Sequence, residues 1–208
     1  MSRTTHRALR LALASLIATA LLAQLAISLS KSDLTIVRFF SFFTVLSNTA
    51  AAVMLTLLAG RPGRDGSAGF AMFRGAVTVY MTVTFLVYAI VLAPDTVDVG
   101  LTEPWIDWTL HIIGPIAVTA DWLFSPPATS LEPRTVSIWI VFPAVYLAYT
   151  LIRGPIVDWY PYPILDPNQS DGYAMVAMWS AVVLVVIVVF GFLYRWWGNR
   201  QVVGGRSA

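Results

Sequence analysis

Long apolar runs that alternate with short polar segments are the dominant pattern along the chain. A helix needs about 20 mostly apolar residues to cross the hydrocarbon core of a bilayer. Six runs approach that length, and they predict helices at about 8–29, 34–59, 70–92, 104–124, 136–152 and 172–196. The connections between them are rich in Gly, Pro, Asp and Ser, which favour turns. The pattern therefore predicts an all-α, polytopic membrane protein, with one domain of six transmembrane helices over residues 1–208.

The first apolar run has a second interpretation, because basic residues followed by an apolar stretch are also typical of a secretory signal peptide. The hydrophobic region of a signal peptide has about 7–15 residues, whereas this run is nearer to about 20. We therefore expect an uncleaved first helix.

Composition supports the membrane prediction and narrows the chemistry. The 208-residue chain is 58% hydrophobic and 12% charged, whereas a soluble domain averages about 25% charged residues. A net charge of +2 is too small to indicate a nucleic-acid partner. The chain has no cysteine, which excludes disulfides, thiolate metal sites and cysteine nucleophiles. We expect no metal, no cofactor and a membrane lipid or lipid-like partner; the sequence does not indicate an oligomeric state.

The basic residues predict the orientation, because cytoplasmic loops carry an excess of Lys and Arg. Placing both termini in the cytoplasm puts ten basic residues on the inner side and three on the outer side. The inner group is Arg3, Arg7, Arg10, Arg61, Arg64, Arg74, Arg134, Arg195, Arg200 and Arg206. The outer group is Lys31, Arg38 and Arg153, accompanied by the acids Asp33, Asp95, Asp98, Glu103, Asp107, Asp158, Asp166 and Asp171. The expected location is a bacterial cytoplasmic membrane.

The second predicted span carries Ser41, Thr44 and Asn48 among Phe, Val and Leu residues. Their spacing of three and four places them on one helix face. A polar face on an otherwise apolar membrane helix is expected to point into the bundle. Packing is the alternative interpretation, because Ser and Thr often bond to their own helix and Asn often bridges helices.

The fourth predicted span contains His111, a titratable side chain whose cost inside a membrane makes function the default hypothesis. Asp107 lies four residues earlier and hence on the same face, where it can orient the imidazole. The alternative is that Asp107 only caps the helix at the outer interface. Pro115 is expected to interrupt the helix after His111. Asp121 lies too far along the helix to join the same site.

Helix geometry places Thr44 and His111 at similar depth. At 1.5 Å per residue, Thr44 lies about 15 Å along its helix and His111 about 10 Å along the other. Both positions fall in the outer half of a core about 30 Å thick. The pair is therefore a candidate nucleophile and general base. Asn48, one turn below Thr44, is a candidate donor to a developing oxyanion.

The fifth predicted span adds Tyr146 and Arg153. Tyr146 is a candidate hydrogen-bond donor in a cavity, although a buried tyrosine is often purely structural. Arg153 ends the span on the outer side, where it can bind a carboxylate or a lipid headgroup. It can equally pair with Asp158 or cap helix carbonyls. Together with Ser41, we assign Arg153 to substrate binding.

Three short motifs carry a resemblance that spans most of the chain: FFTVLSN, HIIGP followed by ADW, and YPYPILDP after LIRG. With these motifs the chain resembles the prokaryotic six-helix membrane proteins related to the androgen-induced and androgen-dependent TFPI-regulating proteins. The eukaryotic members are membrane-embedded hydrolases of fatty acid esters of hydroxy fatty acids, with a Thr nucleophile and a His. The resemblance implies that Thr44 takes the nucleophile position and His111 the histidine position.

Three functions remain open from the sequence. The first is a lipid ester hydrolase that uses Thr44 and His111 on a long-chain acyl ester. The second is a small transporter or proton-coupled permease with His111 and Asp107 as a relay, although the chain has no internal repeat. The third is a non-catalytic membrane protein that binds lipid or a partner, with the polar face of the second span used for packing.

Overall fold

A computed structural model describes residues 2–31, 35–61, 66–92, 103–169 and 171–204, and within these ranges it contains helices but no strand. The α-helices are α1 (Arg3–Lys31), α2 (Ile36–Phe39), α3 (Phe43–Gly60), α4 (Ala68–Val87), α5 (Pro104–Trp108), α6 (Gly114–Phe124), α7 (Arg134–Val157) and α8 (Gly172–Gly204). A π-helical segment, Tyr88–Leu92, extends α4, and a second one, Thr109–Ile113, joins α5 to α6. A 3-10 turn, Pro163–Leu165, precedes α8. The predicted start of the second span at Leu34 and the orientation residues Asp33, Arg64, Asp95, Asp98 and Arg206 lie outside the described residues, and so does the side chain of Arg3.

Five helices are long and apolar enough to cross a membrane: Thr4–Lys31, Phe43–Gly60, Ala68–Val91, Arg134–Val157 and Gly172–Val202. They correspond to five of the six predicted spans, and the all-helical class is confirmed. The remaining predicted span, 104–124, is helical along its whole length but is not one of the five. This helix carries the polar residues Asp107, His111 and Asp121.

The second predicted span is not one continuous helix, which corrects the interpretation of its polar face. The backbone leaves the helix between α2 and α3, and Phe42 is extended at φ −82° and ψ 129°. The carbonyl of Ser41 accepts a hydrogen bond from the Tyr146 hydroxyl at 2.9 Å, so it does not need a helical partner. Val45 N–H instead donates to the carbonyl of Phe42. Ser41 therefore lies outside the helix that carries Thr44 and does not share its face.

Helix α4 is the centre of the bundle. It packs against α3, α6, α7 and α8, while α1 packs mainly against α3. In its most apolar stretch 61% of α4 is buried, against 17% for α8. The outward sides of α1, α7 and α8 are apolar and exposed, as expected of surfaces that face lipid. The helix at 104–124 contacts α1, α3, α4 and α8, so its polar side chains have protein neighbours.

Pro143 lies inside α7 and its consequence is visible in the hydrogen bonding. Proline has no N–H, so the carbonyl four residues earlier, that of Trp139, loses its helical donor. The buried hydroxyl of Tyr80 on α4 donates to this carbonyl at 3.0 Å. The interruption of α7 is therefore compensated by a neighbouring helix, as a proline inside a membrane helix requires.

A buried ionic network ties three helices together at the end of the bundle opposite His111. Asp121 on α6 accepts from Arg10 of α1 at 2.8 Å and from Arg74 of α4 at 2.7 Å. Arg74 has no exposed surface, and Arg10 is 9% exposed. Asp121 therefore binds two arginines and does not contact His111, in agreement with its predicted separation from that residue.

We expect Asp121→Asn to destabilise the fold by about 3–5 kcal/mol, because it leaves two buried guanidinium groups without their carboxylate. The measurement is the unfolding midpoint of the detergent-solubilised protein. Glu132→Gln is the matched control, since its ion pair with Arg134 is exposed and such pairs contribute about 0–1 kcal/mol. Equal stability of the two variants would contradict a structural role for Asp121.

Candidate active site

Thr44 is the second residue of α3, beside the interrupted backbone at Phe42. Its hydroxyl lies 3.4 Å from Nε2 of His111, on the long side for a hydrogen bond. Catalytic hydrogen bonds are often long before substrate binds. The structure thus brings the two residues predicted as nucleophile and base together from different helices. The position of Thr44 at a helix start, rather than in mid-helix, was not predicted.

The hydrogen bonds of His111 determine which ring nitrogen carries the proton. Nδ1 lies 2.9 Å from Oδ1 of Asp107 and 3.1 Å from the Asp107 carbonyl oxygen, and both partners are acceptors. Nδ1 therefore carries a hydrogen, and in the neutral ring Nε2 presents a lone pair. That lone pair accepts the hydroxyl hydrogen of Thr44. Thr44, His111 and Asp107 form the order of groups found in a nucleophile–base–acid triad.

Tyr88 completes the surroundings of the histidine. Its ring stacks on the His111 imidazole, with centroids 4.3 Å apart and an interplanar angle of 11°. Its hydroxyl donates a short hydrogen bond to Oδ2 of Asp107. Tyr88 thus contacts both the His111 ring and the carboxylate to which that ring is hydrogen-bonded. No pattern in the sequence had singled out Tyr88.

Tyr88 and His111 both lie in π-helical segments. In the segment that holds His111, Gly114 N–H donates to the carbonyl of Thr109, five residues earlier. Pro115 follows directly and has no N–H to continue the regular pattern. Single π-helical turns are frequent at functional sites, because they change the direction in which side chains point. The interruption expected near Pro115 takes this form.

Asn48 does not have the role that the sequence suggested. Its amide nitrogen donates to the carbonyl of Thr44 at 2.9 Å and to the carbonyl of Leu110 at 3.0 Å. Both amide hydrogens are therefore used, and none is left for an oxyanion. Asn48 instead joins α3 to the π-helical segment of His111. It fixes the start of α3, with Thr44, relative to the segment that carries His111.

Tyr162 is a second residue that sequence analysis missed. Its hydroxyl lies 3.3 Å from the Thr44 hydroxyl and 3.1 Å from the Thr44 backbone nitrogen. The segment that carries it turns at Asp158, a left-handed residue with φ 48°. The ring of Tyr160 packs over Gly154, where a Cβ atom would come within 2.0 Å of it. The YPYPILDP motif marked this segment in the sequence as part of the family resemblance, but it did not indicate a role for Tyr162.

Of the remaining predicted residues, Tyr146 and Ser41 make hydrogen bonds at the interruption before Thr44. Tyr146 is buried and donates to the Ser41 carbonyl at 2.9 Å. The Ser41 hydroxyl donates to the Val37 carbonyl at 2.8 Å and lies 3.2 Å from the Tyr149 hydroxyl. Both residues thus stabilise the interruption before Thr44. The guanidinium of Arg153 lies over the Trp159 ring, at 5.7 Å from its centroid.

An apolar cavity of about 320 Å³ opens beside Thr44. Its walls come from α3, α4, α7, α8 and the 3-10 turn, and Thr44 and Tyr162 both contribute to its lining. The cavity follows α8 from Trp179 to Ile187, about 12 Å at 1.5 Å per residue. Its size lies within the range of about 300–1,000 Å³ usual for small-molecule sites. Thr44 therefore borders an apolar cavity, and its hydroxyl contacts a histidine.

The part of the chain that the structure describes contains no group of three or more His, Cys, Asp or Glu side chains arranged to hold a metal ion. A scan against models of protein families, a search of curated proteins and a search of solved structures each gave no match.

Proposed function

We propose that this protein is a membrane-embedded lipid ester hydrolase. Thr44 is the nucleophile, His111 is the general base, and the substrate is a long-chain acyl ester. One observation carries the proposal: Thr44, whose hydroxyl lies 3.4 Å from Nε2 of His111, is also one of the residues that line an apolar cavity. The motif resemblance to membrane hydrolases of fatty acid esters supports the same assignment and the same family.

We also propose how the helices are arranged in the membrane. Six helices span a bacterial cytoplasmic membrane, with both termini in the cytoplasm and 104–124 as the fourth span. The polar residues of that helix have protein neighbours, which is how a membrane helix accommodates Asp and His. Thr44 and His111 then lie in the outer half of the membrane. An acyl chain enters the cavity from the outer leaflet, and Arg153 binds a polar or anionic group of the substrate.

The first half of the reaction transfers the acyl group to the enzyme. Thr44 Oγ1 forms a bond to the ester carbonyl carbon, and its proton passes to Nε2 of His111. The carbonyl π electrons move to the oxygen to give a tetrahedral oxyanion. When this intermediate collapses, the bond to the alcohol oxygen breaks, and His111 returns the proton to the departing alcohol. The Asp107 carboxylate stabilises the imidazolium that exists between the two proton transfers.

The second half releases the acid. A water molecule attacks the carbonyl carbon of the Thr44 ester while its proton passes to His111. Collapse of the second tetrahedral intermediate breaks the bond to Thr44 Oγ1, which takes the proton back from His111. The products are a carboxylic acid and the original enzyme. Water reaches the site from the outer face, where the segment of Tyr162 borders Thr44.

Covalent labelling tests the assignment of the nucleophile directly. The purified protein in detergent is treated with a long-chain alkyl fluorophosphonate, and the modified peptide is identified by mass spectrometry. We expect one label, on Thr44, whose formation is slowed by a long-chain acyl ester of 4-methylumbelliferone. Thr49→Ala is the matched control, because Thr49 is on the same helix and its hydroxyl donates to its own helix at Val45. A label on another residue, or none, would overturn the proposal.

A further inference from the structure

The hydroxyl of Tyr162 is placed between the backbone and the side chain of the proposed nucleophile. Its oxygen lies 3.1 Å from the Thr44 nitrogen, which has a hydrogen to donate. It also lies 3.3 Å from Thr44 Oγ1. Because the Thr44 hydroxyl hydrogen is directed at His111, the hydrogen between the two hydroxyls is the phenolic one. Tyr162 thus accepts from the backbone of Thr44 and donates to its side chain.

The start of α3 makes this phenol a stronger donor. Phe42 at the N-cap position has no side-chain hydrogen bond to the helix, so the first N–H groups of α3 need an outside acceptor. The Tyr162 oxygen supplies one, at the end of the helix where the dipole is positive. A hydroxyl that accepts a hydrogen bond donates a stronger one in turn. Burial raises the pKa of Tyr162, so the phenol keeps its proton at neutral pH.

We propose that Tyr162 is a catalytic residue that donates its phenolic hydrogen bond to the oxyanion formed when Thr44 attacks an acyl ester. This inference rests on the proposed hydrolase function. Once Thr44 Oγ1 has bonded to the carbonyl carbon, the oxyanion is two bonds from Oγ1, within reach of a donor that was directed at that atom. The phenol turns from Oγ1 to the oxyanion and keeps its proton. No proton, electron pair or co-reactant beyond the ester hydrolysis itself is required.

Three further observations favour this role. Asn48, the candidate donor predicted on α3, has both amide hydrogens bonded to carbonyl oxygens. Tyr162 also lines the cavity that would hold the acyl chain, so Tyr162 and Thr44 border the same space. Its ring is held edge-to-face against Phe42, with centroids 5.6 Å apart. A donor fixed before the substrate binds is the arrangement that stabilises an oxyanion most.

The test compares Tyr162→Phe with the wild type in ester hydrolysis and in inhibition by a long-chain alkyl trifluoromethyl ketone, which forms a tetrahedral adduct with the nucleophile. We expect kcat to fall about 10²- to 10³-fold with little change in KM, as for the loss of one oxyanion donor. Affinity for the ketone should fall by the same factor. Tyr160→Phe, in the same segment, is the control and should behave as wild type.

The outcomes separate this inference from the hydrolase function. If Thr44→Ala is inactive and Tyr162→Phe stays within threefold of wild type, Tyr162 is not the donor although the hydrolase function stands. If the wild type hydrolyses no acyl ester, the hydrolase function fails and the Tyr162 role with it. If Tyr162→Phe does not fold, a fluorinated tyrosine at position 162 provides a second test. It keeps the hydroxyl, so that the fold is preserved, and it lowers the pKa of that hydroxyl. The alkaline limb of the kcat profile should then move to lower pH, and an unchanged profile would overturn the inference.

Discussion

Replacing Thr44 with alanine should lower kcat for long-chain acyl ester hydrolysis by about 10⁴- to 10⁶-fold, the loss seen when a nucleophile is removed from a triad. The reason is that no covalent intermediate can form, so the remaining rate comes from binding and from stabilisation of the oxyanion alone. The unfolding midpoint should change little, because the Thr44 hydroxyl is only partly buried. The measurement is the hydrolysis rate at saturating substrate together with the unfolding curve.

Two further variants make the Thr44 result specific. Thr44→Ser keeps the alcohol and should retain measurable turnover, whereas Thr49→Ala removes a threonine hydroxyl one and a half turns along the same helix and should hydrolyse as wild type. Thr49 is suitable because its hydroxyl donates to the Val45 carbonyl at 2.7 Å. Hydrolysis by Thr44→Ala at more than a hundredth of the wild-type rate would contradict a nucleophilic role.

Part of the pairing of Thr44 with His111 could be predicted from the sequence. Helix rise and the entry points of two parallel spans give the depth of a side chain, and the spacing of four between Asp107 and His111 gives a shared face. The rarity of polar groups in these segments limits the candidates to very few. Those features predicted a similar depth for Thr44 and His111, but the depth of Thr44 was counted along a continuous helix from Leu34, whereas α3 begins at Phe43. Which helices face each other does not follow from depth.

The interruption at Phe42 could not be predicted in the same way. No Gly or Pro marks it, since the sequence there reads RFFSFF. What stabilises it is the hydroxyl of Tyr146, more than 100 residues away, on the Ser41 carbonyl. A tertiary hydrogen bond thus decides a local conformation. The same interruption places Thr44 at a helix start, with a backbone N–H available to Tyr162.

Tyr88 and Tyr162 were missed for a related reason. Tyr88 is in a π-helical segment, where spacing by three and four no longer gives the direction of a side chain. Tyr162 lies in an irregular segment, for which no periodicity argument exists. Tyrosines near a membrane surface are also common without any function. Their roles become visible only from distances to Asp107 and Thr44.

Asp107→Asn should lower kcat about 10³- to 10⁴-fold, the scale of the loss when the acid of a triad becomes an amide. If the amide NH2 of the asparagine faced Nδ1, it would donate a hydrogen bond to that nitrogen, and the ring proton would move to Nε2. Nε2 could then not accept the hydroxyl hydrogen of Thr44. With its carbonyl towards Nδ1, the asparagine would preserve the tautomer but carry no charge to stabilise the imidazolium. Either orientation removes part of the driving force for taking the Thr44 proton.

The controls for Asp107 separate its charge from its packing. Glu103→Gln makes the same change from carboxylate to amide at an exposed position one turn earlier, and it should stay within threefold of wild type. Tyr88→Phe keeps the ring stacked on His111 at 4.3 Å but removes the donor to Asp107. Tyr88→Phe should lower kcat less than Asp107→Asn does, because the Asp107 carboxylate and its charge remain. If folded Asp107→Asn kept more than a tenth of the wild-type kcat, Asp107 would be a helix-capping residue, and His111 would act without an acid partner.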